Sequence, residues 1–464
     1  MSLIVLAVLS RLVWTGWVHP PQDHVFSDMA HYVYRARLVA NWEIAPGQRA
    51  MAWQAWGTHA LLAMPMILLG PSSKAALGAA ALMWAGLSAA TVVWSYRLAL
   101  RVLPRADAGG PHWPAIGVGV AALLWFPLLS HAGFFVSETP FTWFLLASTL
   151  AIVTLIQTGR QAWRAGILGA LAFAVRPQVA VFFVLLGLAW LLDRRWRGPA
   201  GERGSWSRRV ELRAALRFAA PLLIVLAISL VRVRVYTGAF GGVAENGAMN
   251  LTAGRCHNVV TRAFPDQAAL EHGQPTRRIS LPGFRALAHE GPDHPLALRP
   301  ALGGESIDFV GEIGDREQYR AIRRRCYAAT GVTEQLRYSV TNVAMLWVVA
   351  RPWPESSDHR SARLLPVAMR GRDLAAWLAP LALLAMVLAL WRWLGGAGAE
   401  ADHEPIAGLG VCALQLVALL LTSAVFFGSP RLRTPSDPYA LILLAALARS
   451  SGAWIAARLR RRPR

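Results

Sequence analysis

Lysine is almost missing from this 464-residue chain: of 47 basic residues only Lys74 is not an arginine. Acids are scarce too, 26 in all, so the formal net charge is +21. Charged residues make up 16% of the chain, against about 25% in a soluble domain, which excludes one large water-soluble domain. Three cysteines exclude a disulfide scaffold and a multi-cysteine metal site. There is no internal repeat, no heptad run and no P-loop, zinc or dinucleotide fingerprint. A basic excess can mark a nucleic-acid partner. Here, however, the arginines fall between apolar runs rather than along one soluble face, so no nucleic-acid partner is expected.

What the chain has is apolar length. Its residues are 55% hydrophobic with a mean hydropathy of +0.38. A helix crossing about 30 Å of hydrocarbon needs roughly 20 apolar residues. Runs of that kind lie near 2–18, 74–96, 114–131, 139–157, 166–192, 217–234, 373–394, 406–427 and 438–456. The 166–192 run is too short for two full crossings and too long for one. It reads as two short helices meeting inside the bilayer around Arg176-Pro177. The sequence therefore predicts an all-α polytopic membrane protein with about ten transmembrane helices, the first of them an anchor rather than a removed signal.

Loop charge sets the expected orientation. With the N-terminus inside, the short cytoplasmic segments hold nineteen arginines and the short outer ones six basic residues. Both termini are then cytoplasmic, in a cell inner membrane, and a crossing by Trp53–Gly70 would spoil the bias. That stretch reads as an interfacial or re-entrant helix, inside a first outer loop (19–73) of interfacial helices. Three parts follow: a transmembrane module (1–236), a mixed extracytoplasmic segment (237–372) and C-terminal helices (373–464). The outer segment holds Cys256 and Cys326, for which an oxidising compartment makes a disulfide a fair expectation. Cys412 lies in an apolar run and reads as packing.

Polar groups beside or inside the membrane carry the chemistry. Ser27 reads as the N-cap of a helix running to about Trp42, with Asp28 in its first turn; the helix dipole alone would favour a carboxylate there. Tyr32 and Arg35 share the face of Asp28. Ser137-Glu138-Thr139-Pro140 reads as another helix start, and Glu138 is the sole acid between Asp107 and Asp193. A carboxylate pair at one water-filled mouth can deprotonate a hydroxyl or hold a divalent cation; whether a metal binds Asp28 and Glu138 stays open. Arg176 interrupts an apolar stretch and reads as an anion ligand or a snorkelling side chain. In Pro430-Arg431-Leu432-Arg433-Thr434-Pro435 the prolines suggest an extended loop with Arg431 and Arg433 on one side, suited to phosphate. Asn246 and Asn250, in Glu245-Asn246-Gly247-Ala248-Met249-Asn250, read as sugar ligands or an ordinary turn.

These stretches resemble the GT-C superfamily of membrane glycosyltransferases, especially its aminoarabinose-transferase and protein O-mannosyltransferase branch. Ser27-Asp28-Met29-Ala30-His31-Tyr32 with Ala36-Arg37 resembles the first-loop acidic motif. Ser137-Glu138-Thr139-Pro140-Phe141 is similar to the acidic start of a later helix. Gly169–Leu185 with Arg176-Pro177 is similar to a Gly-rich helix ending in a basic residue. Arg431-Leu432-Arg433-Thr434-Pro435 with Tyr439 resembles the basic motif before a late helix. The resemblance implies a sugar carried on a polyprenyl phosphate or diphosphate and transferred outside the cytoplasm to a glycan, lipid or protein acceptor. It makes Asp28 the base or metal-associated acid and Glu138 the second acid. Arg176, Arg431, Arg433 and Arg37 become donor-phosphate ligands, with Tyr32, Asn246 and Asn250 near sugar or acceptor. Met29 stands where many relatives carry a second acid, and the Gln54–His59 region lacks the Lys-Pro of the aminoarabinose branch, which argues against that sugar. A transporter or flippase is the competing reading, though such proteins usually show two similar halves. A scaffold for envelope assembly is the other.

Overall fold

The computed structural model describes residues 2–104, 110–196, 210–256, 260–264, 267–273, 277–280, 306–310, 316–348, 354, 362–395 and 403–460. The first helix, α1 (Ser2–Val13), widens into one π-helical turn, Trp14–Val18. The first loop holds α2 (Ser27–Ala40), a short turn at Arg49–Ala52, and α3 (Gly57–Leu69). The bundle continues with α4 (Lys74–Val102), α5 (Trp113–Leu124), α6 (Phe126–Ala132), α7 (Glu138–Thr158), α8 (Ala162–Val175), α9 (Ala180–Trp196) and α10 (Leu212–Thr237). After the mixed segment come α15 (Leu365–Gly395), α16 (His403–Val425), the single turn α17 (Pro430–Arg433) and α18 (Asp437–Arg460).

Among the described residues, six helices are long and apolar enough to cross a membrane: α1 with its extra turn, α4, α7, α10, α15 and α16. A seventh span arises if α5 and α6, bent by 49°, count as one. Their outward faces are apolar: Leu223, Ile224, Ile228 and Val231 on α10 and Leu384, Val387 and Trp391 on α15 are all exposed. So much exposed apolar surface belongs in lipid. The ten runs read from the sequence are all helical. Three fall outside the six or seven: α8 and α9, which are short, and α18. The Arg176-Pro177 break between α8 and α9 lies where the sequence suggests it. α15 begins at Leu365, eight residues before the expected boundary at 373.

Helix α7 is the spine. Only a few of its residues touch the outside, and it packs on α4, α8 and α16. Gly159, at φ +69°, turns the chain out of α7 where a side chain would be strained. Gly166 lets α8 meet the Phe218 carbonyl of α10, an approach that a Cβ would block. A buried hydroxyl–amide chain ties the spine to the late helices: Gln415 Nε2 donates to Thr149 Oγ1 at 3.0 Å, and Thr149 meets the Tyr439 hydroxyl at 2.9 Å.

The mixed segment contains α11 (Asn246–Ala253), α12 (Gln267–Glu271), α13 (Arg316–Ala329), α14 (Val332–Ala344) and a small sheet. Central strand β1 (Val260–Phe264) pairs antiparallel with β2 (Arg277–Ser280) and parallel with β3 (Ser306–Val310). Thr261 stands opposite Ile279 and Ile307. Cys256 and Cys326 form a disulfide, Cα atoms 5.5 Å apart, that pins α13 to the end of α11. Cys412 is buried and unpaired, as expected.

Arg11 stabilises the α5–α6 bend. It is fully buried on α1, and its Nη1 donates to the Leu123 carbonyl at 2.9 Å and its Nη2 to that of Ala122 at 3.4 Å. Pro127 and the turn at Trp125 break the helix there, leaving carbonyls without helical donors. A guanidinium supplies the missing N–H groups. Replacing Arg11 with Leu is expected to cost about 2–3 kcal/mol, the loss of charged hydrogen bonds to buried acceptors. Equilibrium denaturation in detergent micelles would measure it, and an unchanged midpoint would show that the bend satisfies itself.

Candidate active site

The first-loop acid and the later helix acid meet through one arginine. Arg431 on α17 donates from Nη1 to Asp28 Oδ2 at 2.7 Å and from Nε to Glu138 Oε1. Arg176, at the α8–α9 break, donates to the same Oε1 of Glu138. The two carboxyl groups therefore lie no more than about 8 Å apart, two hydrogen-bond lengths plus the width of a guanidinium. Glu138 is fully buried and Asp28 is 33% exposed, so the network has a closed end and an open one. The site sits at the end of the bundle opposite the arginine-bearing turn after α7.

Local structure sets each group. Glu138 opens α7, and Ser137 Oγ reaches its second oxygen at 3.4 Å. Asp28 lies in the first turn of α2, as expected, but the start differs from the sequence reading. Ser27 belongs to the helix itself, has φ +48° and makes no side-chain cap; the first helical bond goes to the Phe26 carbonyl. A non-glycine residue held left-handed beside a carboxylate is the kind of strain that clusters at functional sites. Ser429 caps α17 by accepting from the Arg431 N–H at 3.3 Å, so Arg431 leaves the chain from a fixed turn.

A second layer fixes Asp28. Gln54 Nε2 donates to Asp28 Oδ1 at 3.3 Å, and Gln54 Oε1 accepts from Arg35. Arg35 lies over the Tyr32 ring, 5.3 Å from its centroid. Burial pushes the Tyr32 hydroxyl above its ordinary pKa, and Asp28 adds to that. Burial works against the Arg431 charge, but Glu138 and Asp28 outweigh it and raise its pKa further above the usual arginine value. Its contribution to stability is therefore complete below the unfolded arginine pKa, which covers every accessible pH.

Several expected site residues lie elsewhere. Arg433 is not beside Arg431. The segment is a helical turn rather than an extended loop, so residues two apart point in widely different directions. Arg433 is buried and pairs with Asp437 at 2.9 Å, while Trp125 Nε1 donates to the other Asp437 oxygen at 2.6 Å. Arg433 Nη1 donates to the Leu346 carbonyl at 3.2 Å. It is a structural ion pair away from the carboxylates, not a member of their network. Arg37 is exposed on the face of α2 opposite the core. Asn246 is tied to the first loop through its backbone, its N–H donating to the Trp53 carbonyl at 2.9 Å; Asn250 lies one turn further along α11, partly buried. Gln54 carried no sequence signal. Arg35 did, by sharing the face of Asp28.

Among the described residues no three His, Cys, Asp or Glu side chains are grouped to hold a metal ion. Asp28 and Glu138 face arginines, so the residues present do not fit a divalent-cation site. The arrangement can instead exchange ligands: each guanidinium now on a carboxylate can turn to an incoming oxyanion and release the acid. Comparison with protein-family models, curated proteins and solved structures gives no match.

Removing Arg431 leaves the buried Glu138 with one partner fewer. Arg431→Met is expected to destabilise by about 3–5 kcal/mol. Glu138→Gln in the same chain should recover part of that loss. A double-mutant cycle by thermal unfolding in detergent checks it; strict additivity would mean that the two residues are not coupled.

Proposed function

We propose that the protein is a GT-C-type membrane glycosyltransferase that moves a sugar from a polyprenyl-phosphate donor to an acceptor hydroxyl on the extracytoplasmic face. The observation that carries this reading is Arg431 bridging Asp28 and Glu138, with Arg176 on the far side. Two acids and two guanidinium groups from four distant stretches of chain share one hydrogen-bonded network, its Asp28 end open.

In this reading the donor phosphate draws the Arg431 and Arg176 guanidinium groups away from the acids. Planar forks suit its oxygens. Asp28, still held by Gln54, then faces the acceptor hydroxyl and takes its proton as the oxygen attacks the anomeric carbon. The bond from that carbon to the phosphate oxygen breaks, the configuration inverts, and the lipid phosphate leaves with the bonding pair. The arginines contribute most there, because the phosphate gains negative charge as the bond breaks. Glu138 stays ionised and holds Arg176 and Arg431 in reach between turnovers. Tyr32 lines the Asp28 side.

The test is transfer from radiolabelled polyprenyl-phosphate sugars in membranes holding the chain, with envelope glycans and lipid-linked sugars of a deletion strain profiled by mass spectrometry. Asp28→Asn should lower transfer by about 10²–10⁴-fold, the range for a lost general base. Arg431→Gln should lower it by about 10²–10³-fold. Full transfer by a normally expressed Asp28→Asn chain would sink Asp28 as the base, and no transfer by the unmutated chain would leave an envelope-assembly scaffold in place of the transferase.

A further inference from the structure

A second set of buried cations stands apart from the carboxylate network. The turn Arg49–Ala52, with Trp53 and Gln54 after it, lies between α2 and α10. Arg35 reaches it from α2, with Nη1 3.5 Å from the Ala50 carbonyl and Nη2 on Gln54. Arg232 reaches it from α10, donating to the Met51 carbonyl and, at 3.0 Å, to that of Val243. Each guanidinium keeps a buried Nε with no hydrogen-bond partner. His59, near the start of α3, is 2% exposed, and its Nδ1 also has none. His59 lies within electrostatic reach of both arginines, and they of each other.

Charge is the unbalanced quantity. Arg35 is 1% exposed, yet among the described residues neither it nor Arg232 forms an ion pair. Asp28 acts on Arg35 only at longer range, being already held by Arg431. Close by, Arg49 and Arg316 share Glu245 at 3.5 and 4.0 Å, and Gly241 leaves the space that the Arg316 guanidinium fills. Among the described residues, Arg35 and Arg232 thus stand beside this turn with no directly paired carboxylate, next to two further guanidinium groups that share Glu245. Backbone carbonyls satisfy donors but do not cancel charge, and neighbouring like charges away from water repel. The missing component is an anion. Two unpartnered guanidinium N–H groups on separate helices, with the buried His59 ring beside them, suit an incoming oxyanion.

We infer that Arg35, His59 and Arg232 form a second oxyanion pocket under the first-loop helix, one that binds a phosphoryl group. The group comes either as free phosphate or as the phosphomonoester headgroup of a lipid. The pocket does not depend on sugar transfer at Asp28: it requires only an anion between the two arginines.

Thermal unfolding of the full chain in phosphatidylcholine nanodiscs tests it, in one arm with inorganic phosphate titrated in and in the other with phosphatidic acid in the bilayer. A saturable rise in midpoint is expected in at least one arm, and the arm that responds names the source. Arg232→Gln should weaken the response about tenfold or more, as loss of a charged hydrogen bond does. His59→Phe should weaken it too. That variant removes no hydrogen bond present in the structure, so it keeps the test decisive should Arg232→Gln fail to fold. No saturation in either arm overturns the pocket. So does binding that survives both variants but is lost in Arg431→Gln, because the anion then sits between Asp28 and Glu138.

Discussion

An ionised group can stay in a low-dielectric interior only beside something that answers its charge. Arg431 between Asp28 and Glu138 is where this protein meets that demand most fully, and the geometry of one end of the bundle follows from it. Glu138 is fully buried at the start of α7 and cannot be ionised there alone. Arg176 and Arg431 hold it, and Arg431 also draws in Asp28 from a helix four hundred residues away in sequence. One guanidinium thereby fixes the first loop, the central helix and the last loop against each other.

Three buried arginines solve the same problem in different ways. Arg11 has no acid and uses carbonyls freed by a helix break. Arg433 takes Asp437 four residues on, and Trp125 completes that carboxylate. Both are buried and held by fixed partners, which suits a scaffold. The Arg431 network differs in having its Asp28 side partly exposed and an adaptable link, Gln54, behind it. A network with one open end can trade partners, which the closed pairs cannot do without leaving a charge stranded.

Much of this was legible in the sequence, because hydropathy and helix-start chemistry are local. The apolar runs are helices, the 166–192 stretch is broken at Arg176-Pro177, and Asp28 and Glu138 each open a helix. Their convergence with Arg176 and Arg431 was expected from the placing of both acids at outer helix ends, with the family resemblance adding the arginines. The failures lie where direction matters. Proline-rich spacing suggested an extended loop at 430–435, on which Arg431 and Arg433 would align. Proline at a first helical position instead favours a turn, and the two side chains part company. Ser27 looked like a cap and became a strained member of the helix. Gln54 and Arg232 could not be found in advance, since their roles depend on where a short turn docks between α2 and α10.

The same logic separates the two cationic regions. Around Glu138 the anions belong to the protein, so a ligand must displace them, and its binding is a competition between its own oxygens and the carboxylates. In the proposed reaction, displacement releases Asp28 as the anion arrives, which would couple binding of an anionic donor to the appearance of a base. Around Arg35 and Arg232 no carboxylate has to leave, and an anion would add charge compensation without exposing any acid. Binding there would tighten the contact between the first loop and α10 but free no base. Only the first arrangement has the form of a reacting centre; the second has the form of a clamp. Their connection through Gln54, which touches Asp28 with one end and Arg35 with the other, lets the position of the clamp bear on the orientation of the base.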